Sequence, residues 1–354
     1  MESVESDTYL GDIISVDGKN TRNIRSRISK GVGKITQIMN LLSAISLGKH
    51  YIEIAILLRE AIFLNGILTN AEVWYCITKQ EMKLFEDLDL SLLRKILNVP
   101  YTTPSEAFYL ELGILPISIV IKARRVNYLH YILKREENEM LYTFFITQWH
   151  NETNGDWTQQ IKIDLEDLEI PCDFEFIKSR SRSSFKSLVK AKSKEYALKI
   201  LTKRQEKHSK MSDLYYKELK LQNYFTIEGI HSEQALNLFK WRVKMAPFGE
   251  NFRGKEELKL CPLCHSHLDS QNLSFQCKKM NNAMEIKCQP NSIYFNNIEI
   301  TTAETITKME KVREKLLMLE KNQTTDMEKM QPRGPCAQGA TLLSLSAAKT
   351  NLLS

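Results

Sequence analysis

Ile24-Arg25-Ser26-Arg27-Ile28-Ser29-Lys30-Gly31-Val32-Gly33-Lys34-Ile35-Thr36-Gln37-Ile38-Met39-Asn40-Leu41-Leu42 decides the fold class. At about 100° per residue, Ile24, Ile28, Ile35, Ile38 and Leu42 fall within a narrow arc, the apolar stripe of an amphipathic helix. Arg27, Lys30 and Lys34 run along one flank, with Arg22 and Arg25 around the back. On pattern alone those charges read equally well as a solvated face or as a contact for nucleic acid. Gly31 and Gly33 either weaken the middle of the helix or let another backbone approach closely. Gly48 is the expected end.

Working outward, the same periodicity recurs. His50 to Leu68 reads as a second, more apolar helix. Thr78 with Glu81 three residues on reads as a capping box, opening a helix that carries Leu84, Leu88, Leu92, Leu93 and Ile96 until Val99-Pro100 stops it. Pro104-Ser105-Glu106 and Pro116 open two more. Lys122, Arg124 and Arg125 then form a basic edge beside Val126, Leu129 and Ile132, and His130 reads as a satisfied core or boundary histidine. The polar, acidic stretch 151–171 reads as a boundary with Asn154-Gly155 as its turn. Phe185, Leu188, Val189, Tyr196 and Ile200 give the next helix its core side, while Lys186, Lys190, Lys194, Lys199, Lys203 and Lys207 cover much of the rest. His231 to Met245 and Thr301 to Asn322 are further helices, and from Gln323 the chain reads as a loop-like tail. Upstream, Tyr9-Leu10-Gly11-Asp12-Ile13-Ile14-Ser15 alternates as a strand does and runs into the turn pair Asp17-Gly18.

The totals agree with a folded, helical protein. Hydrophobic residues make up 43% of the 354, enough for real cores. The net charge of +6 conceals a local excess: residues 178–210 hold twelve Lys/Arg against two Glu, or +10, leaving −4 for the remainder. A block this one-signed repels itself unless something anionic lies opposite. The chain opens on acidic and polar residues with no secretory leader, and its longest apolar runs, Ile54–Leu58 and Ile117–Ile121, are far too short to span a bilayer. The seven cysteines do not form an even disulfide framework. A reducing compartment, nucleus or cytoplasm, is the expectation.

Cys261-Pro262-Leu263-Cys264-His265-Ser266-His267, followed by Cys277, carries the one ready-made chemistry. Two thiols separated by two residues can turn onto one ion, and a histidine and a third cysteine complete the four ligands of a tetrahedral structural Zn²⁺ site. No open position is evident, so the site reads as a folding clamp. The expected ligands are Cys261, Cys264, His267 and Cys277; His265 and Cys288 remain alternatives.

Tyr9-Leu10-Gly11 with the following Asp17-Gly18, the basic Ile-rich helix, Leu68-Thr69-Asn70-Ala71-Glu72-Val73-Trp74 and Leu92-Leu93-Arg94-Lys95-Ile96-Leu97-Asn98-Val99-Pro100 form an ordered series. That series resembles the region just after the polymerase palm in reverse transcriptases of non-LTR (LINE-like) retrotransposons. The match runs from Tyr9 to Pro100 and more loosely to Cys277; similar elements carry a Cys/His cluster at that point, after a helix ending in an aromatic–Arg pair such as Trp241-Arg242. The resemblance implies a mainly α fold: residues 1–18 as a short β-hairpin at the edge of a palm sheet, 19–100 as a thumb-like helical bundle, and 101–220 as a helical connector with its basic helix over 178–210. Residues 221–300 would be a helix plus the zinc module, 301–322 an amphipathic helix and 323–354 a disordered tail. Glu72 and Trp74 would be structural. Arg22, Arg25, Arg27, Lys30 and Lys34, with Lys186, Lys190, Lys194, Lys199 and Lys203, would meet backbone phosphates of RNA or of an RNA–DNA duplex without base preference.

The polymerase chemistry itself is absent from the sequence. Such enzymes hold two Mg²⁺ ions on paired palm aspartates, and no Asp-Asp pair occurs anywhere in the chain. Mg²⁺ is therefore expected only with an upstream polymerase portion, and the chain is expected to be inactive alone. The Pro-Asp signature of a downstream nuclease is missing too: Pro290 is followed by Asn291, and Asp326 is the only aspartate after Cys277. The competing reading is a stand-alone helical, zinc-containing protein-interaction module that does not bind nucleic acid.

Overall fold

The structure is a computed structural model that describes residues 6–9, 12–16, 20–45, 48, 50–75, 77–151, 155–251, 259–284, 290–294 and 298–330. Over these residues the chain is mainly helical, with one two-stranded sheet. β1 (Ser6–Tyr9) and β2 (Asp12–Ser15) pair antiparallel, with Ser6 opposite Ser15 and Tyr9 opposite Asp12. The short β-hairpin expected within residues 1–18 is present, and the one strand read over Tyr9–Ser15 proves to be the end of its first strand and the whole of its second. The Asp17-Gly18 turn lies outside the described residues.

α1 (Thr21–Ala44) buries Ile24, Ile35, Ile38 and Leu42, the stripe its spacing requires. A Cβ on Gly31 would stand 2.4 Å from Leu88 Cδ2, whereas one on Gly33 would meet nothing within 4 Å. Close approach therefore explains Gly31 and not Gly33. α1 stops at Ala44, short of Gly48. α2 (Tyr51–Leu58), a π-helical turn (Arg59–Leu64) and α3 (Asn65–Ile67) follow without interruption. The π turn buries Arg59, whose Nε and Nη2 each lie 2.7 Å from a carboxylate oxygen of Asp89. α4 (Lys79–Leu97) opens with the expected capping box: Glu81 N–H donates to Thr78 Oγ1 at 3.2 Å, and Thr78 N–H to Glu81 Oε2 at 2.9 Å. Trp74 is buried and stacks on Phe85.

α5 (Ser105–Leu112) and α6 (Ile117–Leu133) each start behind a proline cap. α7 (Met140–Asn151), α8 (Trp157–Asp167), α9 (Phe174–Lys178) and α10 (Arg182–Gln205) complete the middle of the chain. The boundary expected at 151–171 is corrected, because α8 fills most of it and packs on α6. Its buried Asp164 takes Arg125 Nε at 2.6 Å and Lys122 Nζ at 2.8 Å. That also accounts for most of the basic edge of α6, since Arg124 donates to Leu68 O at 2.6 Å and Asn65 Oδ1 at 2.8 Å. His130 is buried as expected, with Nε2 3.0 Å from Arg180 O and its ring stacked on Phe185.

α11 (Ser232–Arg242), α12 (Gln271–Ser274), α13 (Lys278–Ala283) and α14 (Ile300–Met330) follow. α14 passes the expected end at Asn322, so the first part of the expected tail is helical; residues 331–354 lie outside the described residues. No helix among the described residues is long and apolar enough to cross a membrane.

Packing divides the chain differently from the expected segments. One core joins the bundle of α1 to α5, the start of α6, the end of α10 and the 211–309 region. A second joins the later half of α6 to Phe145, α8, α9 and the first half of α10. α6 and α10 therefore run antiparallel through both cores. The boundaries at 100/101 and 220/221 cross the first core, which Glu111 pins together. Its fully buried carboxylate accepts from Tyr216 Oη at 2.5 Å, Tyr224 Oη at 2.7 Å and Arg242 Nε at 3.0 Å, and Arg242 Nη1 reaches Ile293 O at 2.8 Å.

Candidate metal centre and nucleic-acid interface

Cys261 and Cys264 lie on a knuckle closed by an antiparallel bridge between Leu260 and Leu268. Cys261 N–H donates to His267 O at 2.7 Å, and His265 N–H to Cys261 O at 2.8 Å. His265 takes a left-handed φ of 51°, which turns the chain after the second thiol and brings His267 to the site. Its own side chain is exposed, and His267 is the histidine that joins the cysteine cluster. Cys277 arrives from the other side, at the start of α13. The four donor atoms of Cys261, Cys264, His267 and Cys277 all lie within 4.8 Å of one another. Cys261 Sγ is 3.9 Å from Cys277 Sγ, and Cys264 Sγ is 3.2 Å from His267 Nδ1. A tetrahedral centre with metal–sulfur bonds of about 2.3 Å spaces its sulfurs by ~3.8 Å, so the set fits one ion and no disulfide. Cys288 lies outside the described residues.

The thiols differ in environment. Burial pushes Cys261 up to about 11. Burial acts the same way on Cys264, but the Ser266 hydroxyl and backbone N–H outweigh it and bring that thiol down to about 7. Around the knuckle, Asp269 Oδ2 accepts from Arg313 Nη2 of α14 and from Gly249 N–H, both at 2.6 Å. Trp241 packs edge-on against Phe248 and Phe275, and its Nε1 donates to Glu310 Oε1 at 2.9 Å. The first half of α14 thus clamps the knuckle against α11.

The basic residues fall into three groups. Arg22, Arg25 and Lys30 of α1 are exposed; Arg22 Nη1 donates to Ser6 Oγ at 3.1 Å. Lys34 is half-buried, its stem crossing Gly66. Arg27 is corrected: it is only 6% exposed and its Nη2 lies 2.6 Å from Asp12 Oδ1, so it ties α1 to the hairpin instead of facing phosphate. The Asp12 carboxylate is the hub of that tie. Burial would raise its pKa, but hydrogen bonds from Asn70, Arg27 and Asn23 hold it below the usual range.

On α10, Phe185, Val189, Ser193, Ala197 and Leu201 form the buried stripe. Arg182, Lys186, Lys190 and Lys194 run parallel to it at four-residue spacing, about 6 Å apart along the axis. No ion pair of these four is found among the described residues. Lys199 and Lys203 are exposed on the other flank, where Lys199 Nζ lies 3.4 Å from Glu169. Arg182 escaped the sequence reading because it precedes the apolar stripe, although the i, i+4 spacing back from Lys186 marks it.

No family model matches the chain, and no curated protein or solved structure matches it.

Proposed function

We propose that the chain is the non-catalytic portion of a LINE-like retrotransposon reverse transcriptase that follows the palm, and that it grips RNA template or RNA–DNA duplex. The observation that carries this reading is the flank Arg182, Lys186, Lys190 and Lys194 on α10, which makes no ion pair among the described residues and is about 18 Å long at 1.5 Å per residue. Cations held at regular spacing on a rigid helix suit a phosphate backbone and carry no base preference. Arg22, Arg25 and Lys30 on α1 add a second exposed basic face. Ile14 and Val16, 60% and 78% exposed on and just after the hairpin, support a contact with the polymerase portion.

In this reading Cys261, Cys264, His267 and Cys277 hold a structural Zn²⁺. The ion would fasten the knuckle to α13 and, through Asp269 and Arg313, to α14. Metal analysis of the purified protein is expected to give one zinc per chain, and Cys264→Ser to lose it; a zinc-free parent rejects the assignment.

Binding is tested by filter retention of a labelled RNA–DNA hybrid over a range of salt. A steep loss of affinity with salt supports phosphate contact, and absence of binding at low salt rejects it. One observation favours the protein-interaction reading: Met140 and Phe144 of α7 are 74% and 66% exposed. The same titration separates the two, since that reading predicts no nucleic-acid affinity.

A further inference from the structure

The later half of α6 and the first turns of α10 enclose an open groove of about 900 Å³. Its walls carry Arg124, Lys134, Arg182 and Lys186 against a single acid, Glu72. Lys134, Arg182 and Lys186 are exposed, and among the described residues none of them makes an ion pair. Its α6 wall presents rings as well as charge. Tyr128 and Tyr131 stack with centroids 5.7 Å apart at 17°, and the Arg135 guanidinium carbon sits 4.2 Å from the Tyr131 centroid. Tyr128 precedes Tyr131 by about one helical turn, and Arg135 lies two residues past the end of α6 at Leu133. The three make a ladder at the end of α6, closed by a planar cation. The ion pair that Arg135 makes among the described residues is a solvent-accessible i,i+4 contact with Glu139, Nη1 to Oε2 3.5 Å, a weak type of contact.

The ladder is mounted on a fixed base. Trp157 meets Tyr128 edge-on at 5.9 Å, and His130 joins α6 to the start of α10 through Arg180 O and Phe185. Tyr131 remains 42% exposed.

We propose that this groove binds a single-stranded nucleic-acid segment, with a base entering between Tyr131 and the guanidinium of Arg135, which covers that face of the ring in the free protein, and phosphates meeting Lys134, Arg182 and Lys186. The inference rests on the nucleic-acid reading above and narrows it to one strand. A duplex hides its base faces in its own stack and offers only phosphate and sugar. An unpaired strand also offers π-faces, which aromatic rings and Arg planes take without sequence preference. A purely electrostatic backbone track would not need the rings. The positive end of the α10 helix, which begins at Arg182, adds to the attraction for phosphate.

The test measures fluorescence anisotropy of labelled oligouridylate and of a labelled RNA–DNA hybrid of the same length, with the full chain. Tyr131→Ala is expected to weaken oligouridylate binding by roughly tenfold, the scale of one lost base–aromatic stack, and to change hybrid binding by less than about twofold. Tyr131→Leu keeps the bulk and guards against a folding artefact; it is expected to behave like Tyr131→Ala, while Tyr131→Phe keeps the parent affinity. Lys186→Glu is expected to weaken both probes. Unchanged oligouridylate affinity in Tyr131→Ala and Tyr131→Leu, or an equal loss on both probes, overturns the ladder. Binding of the hybrid without the oligouridylate overturns the groove alone. Salt-sensitive binding of neither probe overturns the nucleic-acid reading with it.

Discussion

Replacing Glu111 by Gln probes the joint that makes one core of the α1–α5 bundle and the Cys/His module. Glu111 and Arg242 are both 0% exposed and pair with each other. Burial alone would lower the Arg242 pKa, but the Glu111 carboxylate more than offsets this and raises it. Tyr216 and Tyr224 are also shifted well above their ordinary value, by burial first and the carboxylate second. Gln keeps the shape and one acceptor oxygen. It removes the charge and turns an NH2 toward groups that are all donors. Breaking one side of a buried pair costs about 3–5 kcal/mol, and a tyrosine hydroxyl left without its acceptor adds ~1 kcal/mol or more. Glu111→Gln is therefore expected to destabilise by about 4 kcal/mol in urea unfolding followed by circular dichroism and Trp fluorescence. Arg242→Met should cost a similar amount, and the double variant clearly less than the sum, as coupled partners do. A loss below ~1 kcal/mol for Glu111→Gln, or strict additivity in the double variant, refutes the reasoning.

Gly113 combines a φ of +64° with backbone contact, since an added Cβ would fall 2.0 Å from Lys220 C. Gly113→Ala is expected to cost more than the ~1 kcal/mol of left-handed strain alone, because the backbone at Lys220–Leu221 must move; unchanged thermal melting contradicts this. Thr78→Ala is expected to lower stability by ~1 kcal/mol through loss of the cap, read from the same urea curves. Glu81 gives a pH signature. Burial opposes ionisation, but hydrogen bonds from Thr21 and Thr78 hold its carboxyl below the ordinary 4.5. Its contribution is thus present above the unfolded value and lost as pH falls through the folded one, so Glu81→Gln should flatten that part of the acid-side melting profile.

Local signals were legible because their partners are close in sequence. The Thr78–Glu81 box, the proline starts of α5 and α6, the α1 stripe and the Cys261–His267 knuckle each lie within one or two turns. Distant partners were not. Arg27, Arg59, Arg125 and Arg242 gave no sign of their partners in the sequence, yet each is buried against an acid 15, 30, 39 or 131 residues away. No spacing rule reveals that pairing. Stretch 151–171 read as a boundary because Asp164 and Asp167 made it acidic; Asp164 turns out to be the core-facing partner of α6. The Tyr128–Tyr131–Arg135 ladder has helical spacing in the sequence, but which groove it lines depends on where α10 packs.

The salt dependence of hybrid binding, compared between the parent and a Lys186→Ala/Lys190→Ala/Lys194→Ala variant, tests the account most directly. Each phosphate contact contributes about 0.7–0.9 to the slope of log affinity against log salt. The account predicts that the parent binds with a steep slope and that the triple variant loses roughly two of it, while Arg27→Met leaves the slope unchanged in protein that remains folded. Equal slopes in parent and triple variant, or no binding by the parent at low salt, would contradict it.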